Sequence, residues 1–87
     1  MLISVIGCGY LGAVHAAGMA MLGHQVVGID VDEAKVAKLN AGQAPFHEPG
    51  FDELLAEQIA SGRLSFSTDP AAGAQAKIHF IGVGTPQ

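Results

Sequence analysis

Tryptophan is absent from this 87-residue chain, cysteine and tyrosine occur once each, and four lysines and arginines stand against eight acids. Each shortage closes off a class of function. Cys8 alone cannot form an internal disulfide, so the cysteine content gives no sign of an oxidising compartment. A net charge of −4 leaves no basic face for a phosphate-rich polymer, and no nucleic-acid partner is expected. No apolar run approaches the roughly eighteen residues of a membrane span, and no cationic segment introduces the apolar stretch 2–6. Neither a secretory leader nor a membrane partner is predicted, and the cytoplasm is the expected compartment. His15, His24, His47 and His79 fall in a helix, a helix end, a loop and a strand without ligand-like spacing, so no metal site is predicted.

What is present is glycine, 12 residues of it, and a hydrophobic fraction of 49%. That fraction is high for a chain that buries only about 60–65% of the surface it exposes when unfolded. It suits a sheet meant to be covered on both faces, which so short a chain cannot fully achieve. Residues 1–87 are therefore expected to be the N-terminal piece of a longer protein.

Three of the glycines carry the sharpest signal. Ile6-Gly7-Cys8-Gly9-Tyr10-Leu11-Gly12 joins an apolar stretch to an alanine-rich one, and Asp30 closes a second apolar stretch eighteen positions after Gly12. This is a dinucleotide-binding fingerprint in its strand, turn and helix setting. Gly7 lets the chain turn sharply out of the first strand, Gly9 removes a β-carbon where a diphosphate must touch backbone, and Gly12 lets the helix lie close on the sheet. The phosphates then rest on unpaired N–H groups at the helix N-terminus, which Tyr10, Leu11 and Gly12 open. A carboxylate at Asp30 can accept both hydroxyls of the adenosine ribose, whereas a 2′-phosphate there meets like charge. The predicted cofactor is NAD rather than NADP.

Periodicity and punctuation place the remaining elements. Strands are predicted over 2–6, 25–29, 64–67 and 78–83, and helices over 10–22, 32–40, 51–60 and 71–76. Asp32 and Asp69 stand as N-caps, the latter followed by Pro70; Gly23, Gly42 and Gly62 stand as terminators. Phe51, Leu54, Leu55 and Ile59 share one helix face, and 43–50, with two prolines, reads as a loop. Alternating strands and helices give the fold class α/β, a Rossmann-type doubly wound parallel sheet of about four strands with flanking helices. In such a sheet the chain moves outward from strand one to three and returns to set strand four beside strand one. Ligands bind at that reversal, so Gly82-Val83-Gly84-Thr85-Pro86 should form a second wall of the cofactor site.

The glycine turn, together with Gly28-Ile29-Asp30-Val31-Asp32 and Lys35, Asn40-Ala41-Gly42, Pro45, Glu48-Pro49-Gly50 and Gly84-Thr85-Pro86, resembles the N-terminal segment of the UDP-glucose/GDP-mannose dehydrogenase family of nucleotide-sugar 6-dehydrogenases. The resemblance covers essentially the whole chain and departs from the commonest pattern at Phe51 and Gln87. It implies oxidation of a sugar C6 alcohol to a carboxylate with two NAD per turnover and a thioester on a cysteine. UDP-glucose is the nucleotide-sugar substrate implied first, and the full-length protein is expected to be a homo-oligomer. Substrate and catalytic regions are expected outside 1–87, so no catalytic residue is assigned here. The resemblance carries over cofactor contacts only: the glycine turn on the diphosphate, Asp30 and Lys35 around the adenosine ribose, and Val83, Gly84 and Thr85 along the nicotinamide half.

Plainer readings stand beside these. Cys8 is expected to fill the turn rather than act as nucleophile, because bound diphosphate would cover it. Lys35 reaches the ribose or adenine edge, or is a solvated helix lysine. Glu48 is expected to shape its loop, and Thr85 to meet cofactor rather than cap its strand. UDP-N-acetylhexosamine and GDP-mannose dehydrogenases, a hydroxyacid or 3-hydroxyacyl dehydrogenase, and an NAD-sensing domain without turnover remain the alternatives.

Overall fold

The computed structural model describes residues 2–7, 9–44 and 49–81. The elements are β1 (Leu2–Ile6), α1 (Tyr10–Met21), β2 (Gln25–Ile29), α2 (Glu33–Asn40), α3 (Phe51–Ser61), β3 (Leu64–Ser67), a 3-10 turn (Pro70–Gly73) and β4 (Ile78–Ile81). All strand pairings are parallel, in the order β3-β2-β1-β4. The doubly wound topology is thus present, with β1 and β4 as the neighbours between which the chain reverses.

Strand alternation sorts side chains onto two faces. Ile3 and Val5 of β1 share a face with Val26 of β2 and with Leu64 and Phe66 of β3. Against it pack Ala13, Ala16, Ala17 and Ala20 of α1, each with no exposure, Val36 and Leu39 of α2, and Phe51 and Leu55 of α3. Alanine's small bulk allows α1 to lie close to the sheet, and its high helix propensity holds the helix without larger side chains. Asp32 caps α2 by accepting the Lys35 N–H, as its position just before the helix predicts. On the opposite face, where Ser4, Val27 and Ile29 are also buried, Gly73 of the 3-10 turn sits over Ser4 and Val27.

Three expectations need correction. The helix predicted over 71–76 is a single 3-10 turn. Its only buried residue is Gly73, where a Cβ would come 2.8 Å from Ser4 Cβ; with no apolar stripe to bury, nothing sustains a longer helix. The apolar face of α3 also contains Gln58, 4% exposed, whose Oε1 has no hydrogen-bond partner among the described residues. The helix predicted over 10–22 ends one residue earlier, with Leu22 as its C-cap, and α3 runs one residue further than 51–60. β4 is described as far as Ile81; Gly82 and Val83 lie outside the described residues. Among the described residues, no helix is long and apolar enough to cross a membrane.

Candidate cofactor site

The site forms where β1 and β2 end. Gly7 leaves β1 at φ 90°, a backbone region that side chains disfavour, and its N–H donates to the Ile29 carbonyl of β2 at 2.8 Å. Gly9 then caps α1 in extended geometry, and its carbonyl accepts the Ala13 N–H at 2.9 Å. A glycine cap has no side chain to offer the first-turn N–H groups, and no acid stands in that turn. Among the described residues, a Cβ built on Gly9 would meet no atom within 4 Å. Packing therefore does not require glycine at 9; the open space lies where an anion resting on the start of α1 needs it.

Across the cleft, the Asp30 N–H donates to the Ser67 carbonyl at 3.1 Å, pinning the end of β2 to the end of β3. Asp30 Oδ1 accepts the Asp32 N–H at 3.0 Å, and Oδ2 accepts from Lys35 Nζ at 3.2 Å. Lys35 is held twice, since its backbone N–H also donates to Asp32 Oδ1 at 3.1 Å. A local network therefore fixes the carboxylate before any ligand arrives, with Asp30 10% and Lys35 28% exposed at the side chain.

Gly7, Gly9, Asp30 and Lys35 line one cleft of about 520 Å³, within the roughly 300–1,000 Å³ usual for small-molecule sites. Gly12 is buried inside α1, and Leu11 is 65% exposed and lies outside the lining. Tyr10 opens α1. Val83, Gly84 and Thr85 lie outside the described residues, as do Cys8, His47 and Glu48. Sequence reasoning missed Val31, Thr68, Pro70 and the pair Ser4 and His79, whose Oγ and Nδ1 are hydrogen-bonded; all of these line the cleft. The available signal was position, because Thr68 and Pro70 follow the carboxyl end of β3, on the ligand edge of a doubly wound sheet. His15 instead stacks on Phe80, ring centroids 6.4 Å apart. Among the described residues, no group of three or more His, Cys, Asp and Glu is placed to hold a metal.

Parallel strands in this order, a glycine turn opening a helix and an acid at the end of the second strand make this a Rossmann-type dinucleotide-binding domain. Over residues 1–87 the chain matches the NAD binding domain of the UDP-glucose/GDP-mannose dehydrogenase family, and it belongs to that family. It is 48% identical to UDP-glucose 6-dehydrogenase of Rhizobium meliloti, over 99% of this chain and 20% of that protein. It is 45% identical to GDP-mannose 6-dehydrogenase of Pseudomonas putida, over the same shares. A crystal structure of a ternary complex of GDP-mannose dehydrogenase from Pseudomonas aeruginosa superposes with a TM-score of 0.93 at 43% identity, covering 100% of this chain and 20% of that one. The chain spans about a fifth of the length of the curated relatives it matches. The cofactor of the domain is NAD.

Proposed function

We propose that residues 1–87 are the N-terminal part of the NAD-binding domain of a nucleotide-sugar 6-dehydrogenase, most like UDP-glucose 6-dehydrogenase, oxidising UDP-glucose to UDP-glucuronate. The observation that carries this is the convergence of the Gly7–Gly9 turn and the Asp30 carboxylate on one cleft, in a chain matching this family along its whole length. The start of α1, from Gly9 through Tyr10, Leu11 and Gly12, takes the diphosphate on its backbone N–H groups. Asp30 accepts the hydroxyls of the adenosine ribose, and Lys35 and the Asp32 N–H orient that carboxylate. Val83, Gly84 and Thr85, which follow β4 in sequence and lie outside the described residues, are assigned to the nicotinamide half on the resemblance to the family.

Bound NAD supplies the hydride acceptor. Taking an alcohol to a carboxylate removes two hydrides and adds one oxygen from water, so two NAD are consumed per sugar. This chain contributes binding and orientation to that reaction; the groups that act on the sugar belong to the rest of the protein. Full-length protein supplied with limiting UDP-glucose and excess NAD should form two NADH per sugar. One NADH per substrate on a hydroxyacid would transfer the protein to the one-step dehydrogenases. Turnover on GDP-mannose or a UDP-N-acetylhexosamine instead would keep the reaction and change the sugar, and NAD binding without any turnover would favour a sensing domain.

A further inference from the structure

The cleft has a third wall, which the ends of β1 and β2 do not supply. Thr68, Pro70 and Ala74, in the connection between β3 and β4, line it. This connection is tied to the sheet at both ends: the Asp69 N–H donates to Ser67 Oγ and the Lys77 N–H to the Leu2 carbonyl, each at 3.0 Å. Between those ties, across 68–77, a single residue is buried, Gly73. It rests on Ser4 of β1, where a Cβ at 73 would stand 2.8 Å from Ser4 Cβ, 3.5 Å from Ser4 Oγ and 3.6 Å from Val27 Cγ1. Ser4 is 1% exposed, and its Oγ is hydrogen-bonded to Nδ1 of His79, the residue paired with it across the ladder on β4. Both the backbone and the side chain of Ser4 are therefore held.

We propose that Ser4 is a positioning residue for the cofactor cleft: it sets the depth at which the β3–β4 connection rests on the sheet and, through Gly73, the place of Thr68 and Pro70 along the cleft. This rests on the reading that NAD occupies the cleft. Carbon atoms in contact stand about 3.5–4.0 Å apart, so a methyl group at 73 would be on the order of 1 Å too deep. Either β1 or the connection has to give. β1 lies between β2 and β4 and is hydrogen-bonded to both, whereas Thr68 to Ala72 are all exposed. The connection is the part that lifts, and it carries Thr68 and Pro70 with it. Glycine at 73 thus serves the site from beneath the sheet, as glycine at 9 serves it from within the cleft.

Titration calorimetry with NAD on the full-length protein tests this, each variant being read well below its own unfolding midpoint. Gly73→Ala should weaken NAD by about tenfold, because a wall displaced by that much no longer fits its ligand. Adding Ser4→Gly, which removes the Cβ that the new methyl group meets, should bring NAD back to within about threefold of the parent, the non-additivity of residues in contact. Adding Ser4→Ala instead, which removes the hydroxyl and keeps the Cβ, should restore nothing. A general loss of stability would rank these partners the other way, since glycine weakens a strand interior more than alanine does. Should Gly73→Ala fail to fold alone, the comparison moves to the Ser4→Gly background, where adding it should leave NAD affinity unchanged; a marked loss there overturns the proposal. Unchanged affinity in Gly73→Ala, or equal recovery with glycine and alanine at 4, also overturns it and leaves the cleft as the NAD site. Gly9→Ala, made alongside, should weaken NAD whatever stands at 4 and 73; if it does not, the cofactor lies elsewhere and the reading of the cleft fails together with the proposal.

Discussion

The two outer strands of the sheet are treated in opposite ways. Along β3, Asn40 at the end of α2 donates from Nδ2 to the Phe66 carbonyl and accepts the Phe66 N–H at Oδ1, both at 2.9 Å. A side-chain amide thereby takes the place of a neighbouring strand, one way a sheet edge is closed against further pairing. Along β4 every residue is exposed, including Phe80 at 42% and Ile81 at 71%. Among the described residues nothing pairs with its outer side. The contrast extends to the site. Asp30, Asp32 and Lys35 sit on the closed side and hold one another in place, whereas the β4 wall ends in residues whose structure is not described. The proposed adenosine end is held by contacts among the described residues, whereas β4 leaves an apolar edge that they do not cover.

If the β3 side is the finished one, core truncation should separate the two sides most strongly. Leu39 is fully buried, so Leu39→Ala should cost about 2–5 kcal/mol in denaturant unfolding. Ile81→Ala, on the open side, should fall within roughly 0.5 kcal/mol of the parent. Equal costs would erase the distinction. Next, Asn40→Ala should destabilise by about 1–3 kcal/mol, because two backbone groups of Phe66 lose their partners together. It should also make the protein associate with itself, readable by light scattering. Gly9→Ala sharpens the contrast between fold and site: with no atom of the described residues within 4 Å of the new Cβ and φ at −69°, stability should move by less than about 0.5 kcal/mol. NAD affinity should still drop roughly tenfold or more, because the methyl group enters the space left for the diphosphate. The smallest effect is expected at Ile81→Lys, near zero in stability but with higher solubility.

Legibility in the sequence follows the same division. β1, β2 and β3 lie where apolar runs and glycines place them, and strand order follows from the doubly wound rule. Asp32 and Asp69 both cap as their positions predict, accepting from Lys35 N and Ala71 N. These features are local, so single-residue chemistry suffices to find them. What escaped depends on contacts distant in sequence. Gly73 lies against Ser4, Ser4 reaches His79 across 75 positions, and Asn40 finds Phe66 across 26. None of these pairs leaves a spacing pattern. Gln58 was passed over because a polar residue on an apolar helix face interrupts the periodicity that marks burial. Of the proposed site, the glycine turn and Asp30 were legible from motif, whereas the ion pair of Lys35 with the Asp30 carboxylate is visible only in the geometry.

The most direct test of the site is amide hydrogen exchange of the full-length protein with and without saturating NAD. Protection should rise at the N–H groups of residues 9–13 and 30–35 and stay unchanged along α3. Binding that leaves those two segments unprotected, or that protects α3 instead, would contradict the placement of the cofactor at the ends of β1 and β2.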